Sequence, residues 1–193
     1  ELADELRKRK VPPFIGTNED GADIFRMPHG TIAFPSSFGD MDARRDFMAG
    51  LGIQHQVLSF PGLFGLDSIA AEESLPLLQI FNDEVAKLAK AHPETFSGLA
   101  ALPMADMDLA VQEYKRTRDE LGLIGAILPN NCFVSEEHAR AVAPIFKAAQ
   151  EIGGHIFIHP GRRPDEVPKT VEPKSPPFTD HAAERLALRV QDS

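Results

Sequence analysis

The sequence predicts an α/β fold organised on one parallel sheet, and three observations carry this. Short apolar runs recur, each closed by a turn former: His55–Phe60, Ser97–Pro103, Ile124–Pro129 and His155–Pro160. None alternates between apolar and polar residues as a strand with one wet face does, so each reads as a strand covered on both faces, the habit of parallel sheets. Between the runs lie segments with helical periodicity, and this alternation implies right-handed βαβ units sharing a sheet.

Taken in order, Glu1 to Lys10 is a charged helical stretch with no apolar signal core, and the missing initial Met suggests that this end is trimmed. Residues 1–40 as a whole read as an irregular segment, rich in aromatics around Phe25–Gly30 and Ala33–Gly39. Asp42 to Leu51 is a helix stopped by Gly52. Leu77, Phe81, Val85, Leu88 and His92 form one stripe on a helix from about Pro76 to Ala91. Ala110, Tyr114, Thr117 and Leu121 mark the next, with Asp106 or Asp108 as N-cap and Gly122 at its stop.

Pro144 would be costly inside a helix, so it opens one that runs to Ile152, after a separate turn at Ser135–Arg140. Gly153 and Gly154 end that helix. Residues 161–178 form a Pro-rich, basic loop, and Thr179 caps a last helix over 179–191. The chain therefore reads as one domain, 1–193, with its βα units over 41–160. At this level a doubly wound sheet and part of a barrel fit the alternation equally well.

Composition narrows the function. The chain is 42% hydrophobic and 25% charged, as in ordinary globular proteins, and its formal charge of −9 argues against a nucleic-acid partner. Cys132 is the only cysteine, which excludes an intrachain disulfide and a Cys-rich zinc site and points to a reducing compartment, the cytoplasm. No apolar run approaches the roughly 18 residues of a membrane span, so no membrane partner is expected. Neither a G-x-S-x-G elbow nor a glycine-rich phosphate loop occurs, which argues against a serine hydrolase and a nucleotide binder.

The segment richest in chemistry is Gly154-His-Ile-Phe-Ile-His-Pro-Gly161. An imidazole at the carboxyl end of a buried parallel strand stands where a barrel presents its catalytic groups, and neutral imidazole is the usual nitrogen ligand of zinc. Taken alone, His159 fits a hydrogen-bonded structural role as well as a ligand. His155 faces the same side about 13 Å away at ~3.3 Å per residue, too far to share a metal. Arg162, Arg163 and Lys169 follow in the loop, where a guanidinium fork could hold a substrate carboxylate or simply be solvated. Arg26 and His29 could line a pocket or order a surface. Cys132 reads as a buried, inert thiol.

From Met48 to Pro160 the sequence resembles the amidohydrolase-related family that includes aminocarboxymuconate semialdehyde, resorcylate and carboxyvanillate decarboxylases. The matching stretches are Met48–Ile53 leading into Val57–Ser59, Asn82 with Leu88-Ala89, Phe96–Pro103, Leu121–Ala126, and Pro144–Phe146 through Gly153 into Phe157–Pro160. The resemblance implies a (β/α)₈ TIM barrel of the metal-dependent hydrolase type, of which this chain holds about strands two to five. It implies a divalent metal, zinc or manganese, bound by a first-strand H-x-H or E-x-H pair, a fifth-strand His and an eighth-strand Asp. Of those positions only the fifth-strand ligand falls within this sequence, at His159.

No H-x-H or E-x-H pair precedes residue 48, so a complete metal site is not expected from these residues. The implied activity is nonoxidative decarboxylation of a small aromatic or enol carboxylic acid by a homo-oligomer. Arg26, Arg162 and Arg163 are the candidate carboxylate anchors. A lactonase or amidase of the same family is the nearest alternative, and a catalytically incomplete fragment is the next.

Overall fold

The computed structural model describes residues 1–28, 30–35 and 39–166. His29, Ser36, Ser37, Lys169, most of the expected loop 161–178 and the helix over 179–191 lie outside them. Helix α1 (Leu2–Lys8) leads into an antiparallel meander of β1 (Phe14–Thr17), β2 (Asp23–Met27) and β3 (Gly30–Ala33). Helix α1 falls in the helical stretch expected over Glu1–Lys10, whereas the meander stands in the part of 1–40 expected to be irregular. The signal is the turn at Asn18, whose Oδ1 accepts from Asp20 N at 3.1 Å and Ala22 N at 2.8 Å and folds β1 back on β2. Strands this short carry too little alternation to be read directly. Leu2, Leu6, Ile15, Phe25 and Met27 of this unit pack on Leu66, Leu77, Leu78 and Ala101.

Helix α2 (Met41–Gly50) starts where Asp40 Oδ1 accepts from Ala43 N at 2.9 Å. The chain then alternates: β4 (Gln56–Leu58), α3 (Ala71–Ala91), β5 (Phe96–Ala100), α4 (Met107–Asp119), β6 (Gly125–Pro129), α5 (Glu136–Ala141), α6 (Ala143–Ile152) and β7 (His155–His159). The four strands are parallel and lie side by side in chain order, β4-β5-β6-β7, without the reversal that a doubly wound sheet makes at its switch point. Asp106 caps α4, and Pro144 stands in the first turn of α6 with the separate short helix α5 before it.

Helix α3 begins at Ala71 rather than near Pro76, so the proline lies inside it. Pro76 and Glu72, whose carbonyl it leaves unbonded, are both exposed, so water can serve that carbonyl.

Alternate residues of the strands face the helices. Ala100, Ala126, Leu128 and Ile156 join Val85, Ala86, Ala110, Tyr114, Ile145 and Ala148 in one core. Close approach of α3 to β5 depends on Gly98, where a Cβ would stand 2.2 Å from Val85 Cγ1. Residues of the opposite parity, Leu99, Ile127, Phe157 and His159, point to the helix-free face. Strands β5 and β6 are covered as expected. Strand β7 is not, with Phe157 and Ile158 each 47% exposed, because β7, like β4, has a single paired neighbour among the described residues.

Candidate active site at the carboxyl ends of the strands

The loops that leave the carboxyl ends of β4, β6 and β7 meet over the sheet. A Cβ on Gly161, after β7, would lie 3.0 Å from Pro129 Cβ at the end of β6 and 3.3 Å from the carbonyl carbon of Gly62, after β4. Strands β4 and β7 are the outer strands among the described residues, so this contact joins loops from the two edges of the sheet, as a sheet curling into a barrel brings them. Two further bonds tie the loops: Gly161 N donates to Asn130 Oδ1 at 3.3 Å, and Asn131 N donates to Gly161 O at 3.3 Å. Parallel strand ends gathered this way are where a barrel carries its chemistry.

His159 closes β7 on the helix-free face and is half-buried. Its Nδ1 lies 3.0 Å from the carbonyl oxygen of Pro160. A carbonyl only accepts, so Nδ1 carries the hydrogen and Nε2 keeps its lone pair in the neutral ring. This is the tautomer that a metal-binding histidine uses, with the far nitrogen pinned by a backbone acceptor. The donor chemistry therefore suits a divalent cation. Among the described residues no group of three or more His, Cys, Asp or Glu side chains is placed to hold one. His155 opens the same strand and is exposed, at the end away from the mouth.

The candidate arginines divide. Arg163 is committed: its Nε and Nη2 grip Asp165 at 2.9 Å each, and its Nη1 donates to Asn131 O at 3.2 Å and stands 3.3 Å from Glu166 Oε1. The Asp165 carboxylate holds that guanidinium above its ordinary range, and the guanidinium in turn holds Asp165 below the usual carboxylate range. Arg162 makes one long bond, Nη1 to Glu166 O at 3.4 Å. Arg26 lies in β2 of the meander, between Phe25 and Met27, on the side away from the core that these two enter. Arg162 and Arg163 thus lie in the loop that follows His159, and Arg26 lies in a separate sheet. Cys132 is buried, and burial pushes its thiol up to about 12, an inert state at neutral pH.

Sequence reasoning passes over Asp67 and Ser68, both buried at the same mouth. Ser68 Oγ lies 3.1 Å from Asp67 Oδ1 and 2.9 Å from the carbonyl oxygen of Arg162. Burial raises the Asp67 carboxyl to about 7, against the pull of the Ser68 hydroxyl and of its own backbone N–H. The available signal is an acidic residue placed within the otherwise uncharged Gly62–Ile69 stretch.

A family profile described as Amidohydrolase matches residues 34–190. The chain belongs to the amidohydrolase family. Its parallel sheet is accordingly part of a (β/α)₈ barrel. An amidohydrolase relative, the 2-amino-3-carboxymuconate-6-semialdehyde decarboxylase of Dictyostelium discoideum, is 32% identical over 126 residues, 65% of this chain and 35% of that protein. The 5-carboxyvanillate decarboxylase of Novosphingobium aromaticivorans, solved with manganese and 3-methoxy-4-hydroxy-5-nitrobenzoic acid, superposes with a TM-score of 0.54 at 26% identity over 64% of this chain and 35% of that one. A dihydroxybenzoic acid decarboxylase of a Polaromonas species, solved with manganese and the inhibitor 2-nitroresorcinol, gives 0.52 at 26% identity over 62% and 38%. The chain spans a little over a third of the length of the curated amidohydrolase relatives it matches first. Among the described residues no helix is long and apolar enough to cross a membrane.

Proposed function

We propose that this chain supplies part of the active site of a metal-dependent carboxy-lyase that removes CO₂ from a small aromatic or enol carboxylic acid. The observation that carries the reading is His159, which ends a barrel strand on the helix-free face with Nδ1 engaged and Nε2 available. The decarboxylase relatives, two of them crystallised with manganese, support it.

His159 Nε2 would hold the divalent metal together with ligands from outside the described residues. Manganese is favoured by those relatives and zinc by the imidazole ligand. When bound, the metal polarises substrate oxygens. The chain's own groups orient the acid: Arg162, three residues after His159, can present a guanidinium to its carboxylate. Arg163, locked to Asp165, Glu166 and Asn131, keeps the loop in shape. In the reaction the bond between ring carbon and carboxyl carbon breaks, its electron pair stays on the ring carbon, CO₂ departs, and a proton takes its place. The same reading takes the enzyme as a cytoplasmic homo-oligomer acting on a small-molecule acid.

The test is to follow CO₂ release from hydroxybenzoates by full-length enzyme reconstituted with manganese or zinc, with His159→Ala as control. Release that the substitution abolishes is expected. Turnover of lactones or amides with no CO₂ release would replace this reading with hydrolysis by the same site.

A further inference from the structure

Asp67 and Ser68 join three of the four strand ends. They follow β4; the backbone oxygen of Asp67 accepts from Met104 N, after β5, at 2.8 Å. Ser68 Oγ reaches Arg162 O, after β7. Both residues are buried, at 6% and 3% exposure, so water cannot rearrange to mend a poor hydrogen-bond pattern.

The pattern around Ser68 Oγ is informative. One hydroxyl hydrogen faces two oxygen acceptors, Asp67 Oδ1 at 3.1 Å and Arg162 O at 2.9 Å. Were Asp67 ionised, the hydroxyl could satisfy only one of them, and its own oxygen would meet the other without a proton between. A proton on Asp67 removes the conflict. We propose that Asp67 is a protonated positioning residue whose carboxyl O–H donates to Ser68 Oγ, while the Ser68 hydroxyl donates to the carbonyl of Arg162. The carboxyl proton then fixes the Gly161–Arg163 turn that follows His159.

The surroundings favour the neutral acid. Burial is the dominant influence on the carboxyl and holds its proton up to about pH 7, and no charged side chain acts on it directly among the described residues. The neighbouring titratable group is the Cys132 thiol, itself neutral; Arg163, Asp165 and Glu166 act on Cys132 rather than on Asp67. Oδ2 lies against Gly62, where even a Cβ would come within 2.6 Å of it, so the carboxyl has little room to turn away. Raising the pH through the Asp67 midpoint therefore leaves Ser68 with one partner too many and loosens the turn beside His159.

The bearing on catalysis rests on the reading proposed above; the proton relay does not. The test is an NMR titration of the full-length protein, following the Asp67 side-chain carbon and the backbone amides of Gly161, Arg162 and Arg163. The expected result is a carboxyl midpoint near 7, with the three amides moving at the same midpoint. Asp67→Asn keeps a neutral donor to Ser68, so its amides should stay at the wild-type low-pH positions and lose the movement that follows the Asp67 midpoint. Ser68→Ala should leave the Asp67 midpoint high while uncoupling the amides from it. An Asp67 midpoint at the ordinary ~4 overturns the proposal. So do amides that ignore the Asp67 titration, an Asp67→Asn spectrum resembling the wild-type high-pH form, or amides that still follow Asp67 in Ser68→Ala. None of these readouts requires turnover, so the relay and the decarboxylase reading can fail separately.

Discussion

Asn82 and Ala101 exchange two hydrogen bonds: Ala101 N donates to Asn82 Oδ1 at 2.9 Å, and Asn82 Nδ2 donates to Ala101 O at 3.0 Å. Ala101 is the first residue beyond β5, so a side chain of α3 completes the backbone pairing just where the strand ends. The same Nδ2 donates to Glu113 Oε1 at 2.8 Å, and Glu113 is gripped by both arms of the Arg116 fork at 2.7 and 2.8 Å. Hydrogen bonding to Glu113 is the main influence holding the Arg116 guanidinium above its ordinary range. The carboxyl end of β5 is thus tied to two helices through one buried amide.

Asn82→Ala should destabilise the protein by about 3 kcal/mol. It leaves the Ala101 N–H and C=O and one oxygen of Glu113 short of partners, and buried groups stripped of a partner cost about 1–3 kcal/mol or more. Gln79→Ala removes only the half-buried donor to Glu113 Oε2, at 3.1 Å, and should cost under about 1 kcal/mol. Urea unfolding of both variants checks the contrast; equal losses would mean that the amide is not the tie.

These two residues also show what can be read from a sequence. Asn82 is visible as one point of a family resemblance, but its bonds to Ala101 and Glu113 span 19 and 31 residues and have no local signal. The parallel strands and the cap at Asp106 are legible because they depend on neighbours in the chain. The meander at 14–33 is less so, since strands of four and five residues hold barely two turns of alternation. His159 is legible by its position at the end of an apolar run. Asp67 is hidden because its character comes from burial among loops that follow other strands.

Gly98→Ala should cost about 1–3 kcal/mol, the usual range for overpacking. The added carbon would meet Val85 Cγ1 at 2.2 Å and Leu123 Cδ2 at 3.0 Å, forcing α3 off β5. Shortening the opposing side chain tests the cause: Gly98→Ala with Val85→Ala should recover much of the loss beyond what Val85→Ala alone costs. A double-mutant cycle with no coupling would place the strain elsewhere.

Stability should fall as pH rises from about 4 to about 7, through Asp67. The folded carboxyl keeps its proton to about 7, whereas an unfolded Asp releases it near ~3.9. Between those values the folded state holds one proton more, so this contribution is complete below the unfolded value and is lost on the way up. At about 1.4 kcal/mol per pH unit the whole effect is about 4 kcal/mol at most. Other carboxyls titrate too, so the check is the difference between wild type and Asp67→Asn in urea midpoints across the window. That difference should vary with pH; a constant offset would show an ordinary carboxyl.

His159→Ala should separate metal affinity from folding. The side chain is half-buried and makes one local bond, to its neighbour Pro160, so its loss should change stability by no more than about 0.5 kcal/mol. Manganese affinity of the full-length protein should drop more than about 100-fold, since even the outer partners of a ligand are worth roughly 10–100-fold. Calorimetric unfolding and metal titration together give the answer. Unchanged affinity would remove His159 from the ligand set.

Arg162 and Arg163 should fail differently. Arg162 makes one long bond to a backbone carbonyl, so its guanidinium can be given to a substrate carboxylate; Arg162→Ala should raise KM by roughly 10–100-fold, the worth of a charge-assisted pair at about 1.5–3 kcal/mol, with kcat little changed. Arg163 spends its fork on Asp165 and its remaining nitrogen on Asn131 O, so Arg163→Ala releases the loop itself and should lower kcat and raise KM together. Lysine offers one point charge where the fork makes parallel bonds, and Arg163→Lys should rescue little. Steady-state kinetics on the full-length enzyme distinguish the two. If Arg163→Ala raised KM alone and Arg162→Ala did nothing, the anchor would be Arg163, and its grip on Asp165 would have to open when the acid binds.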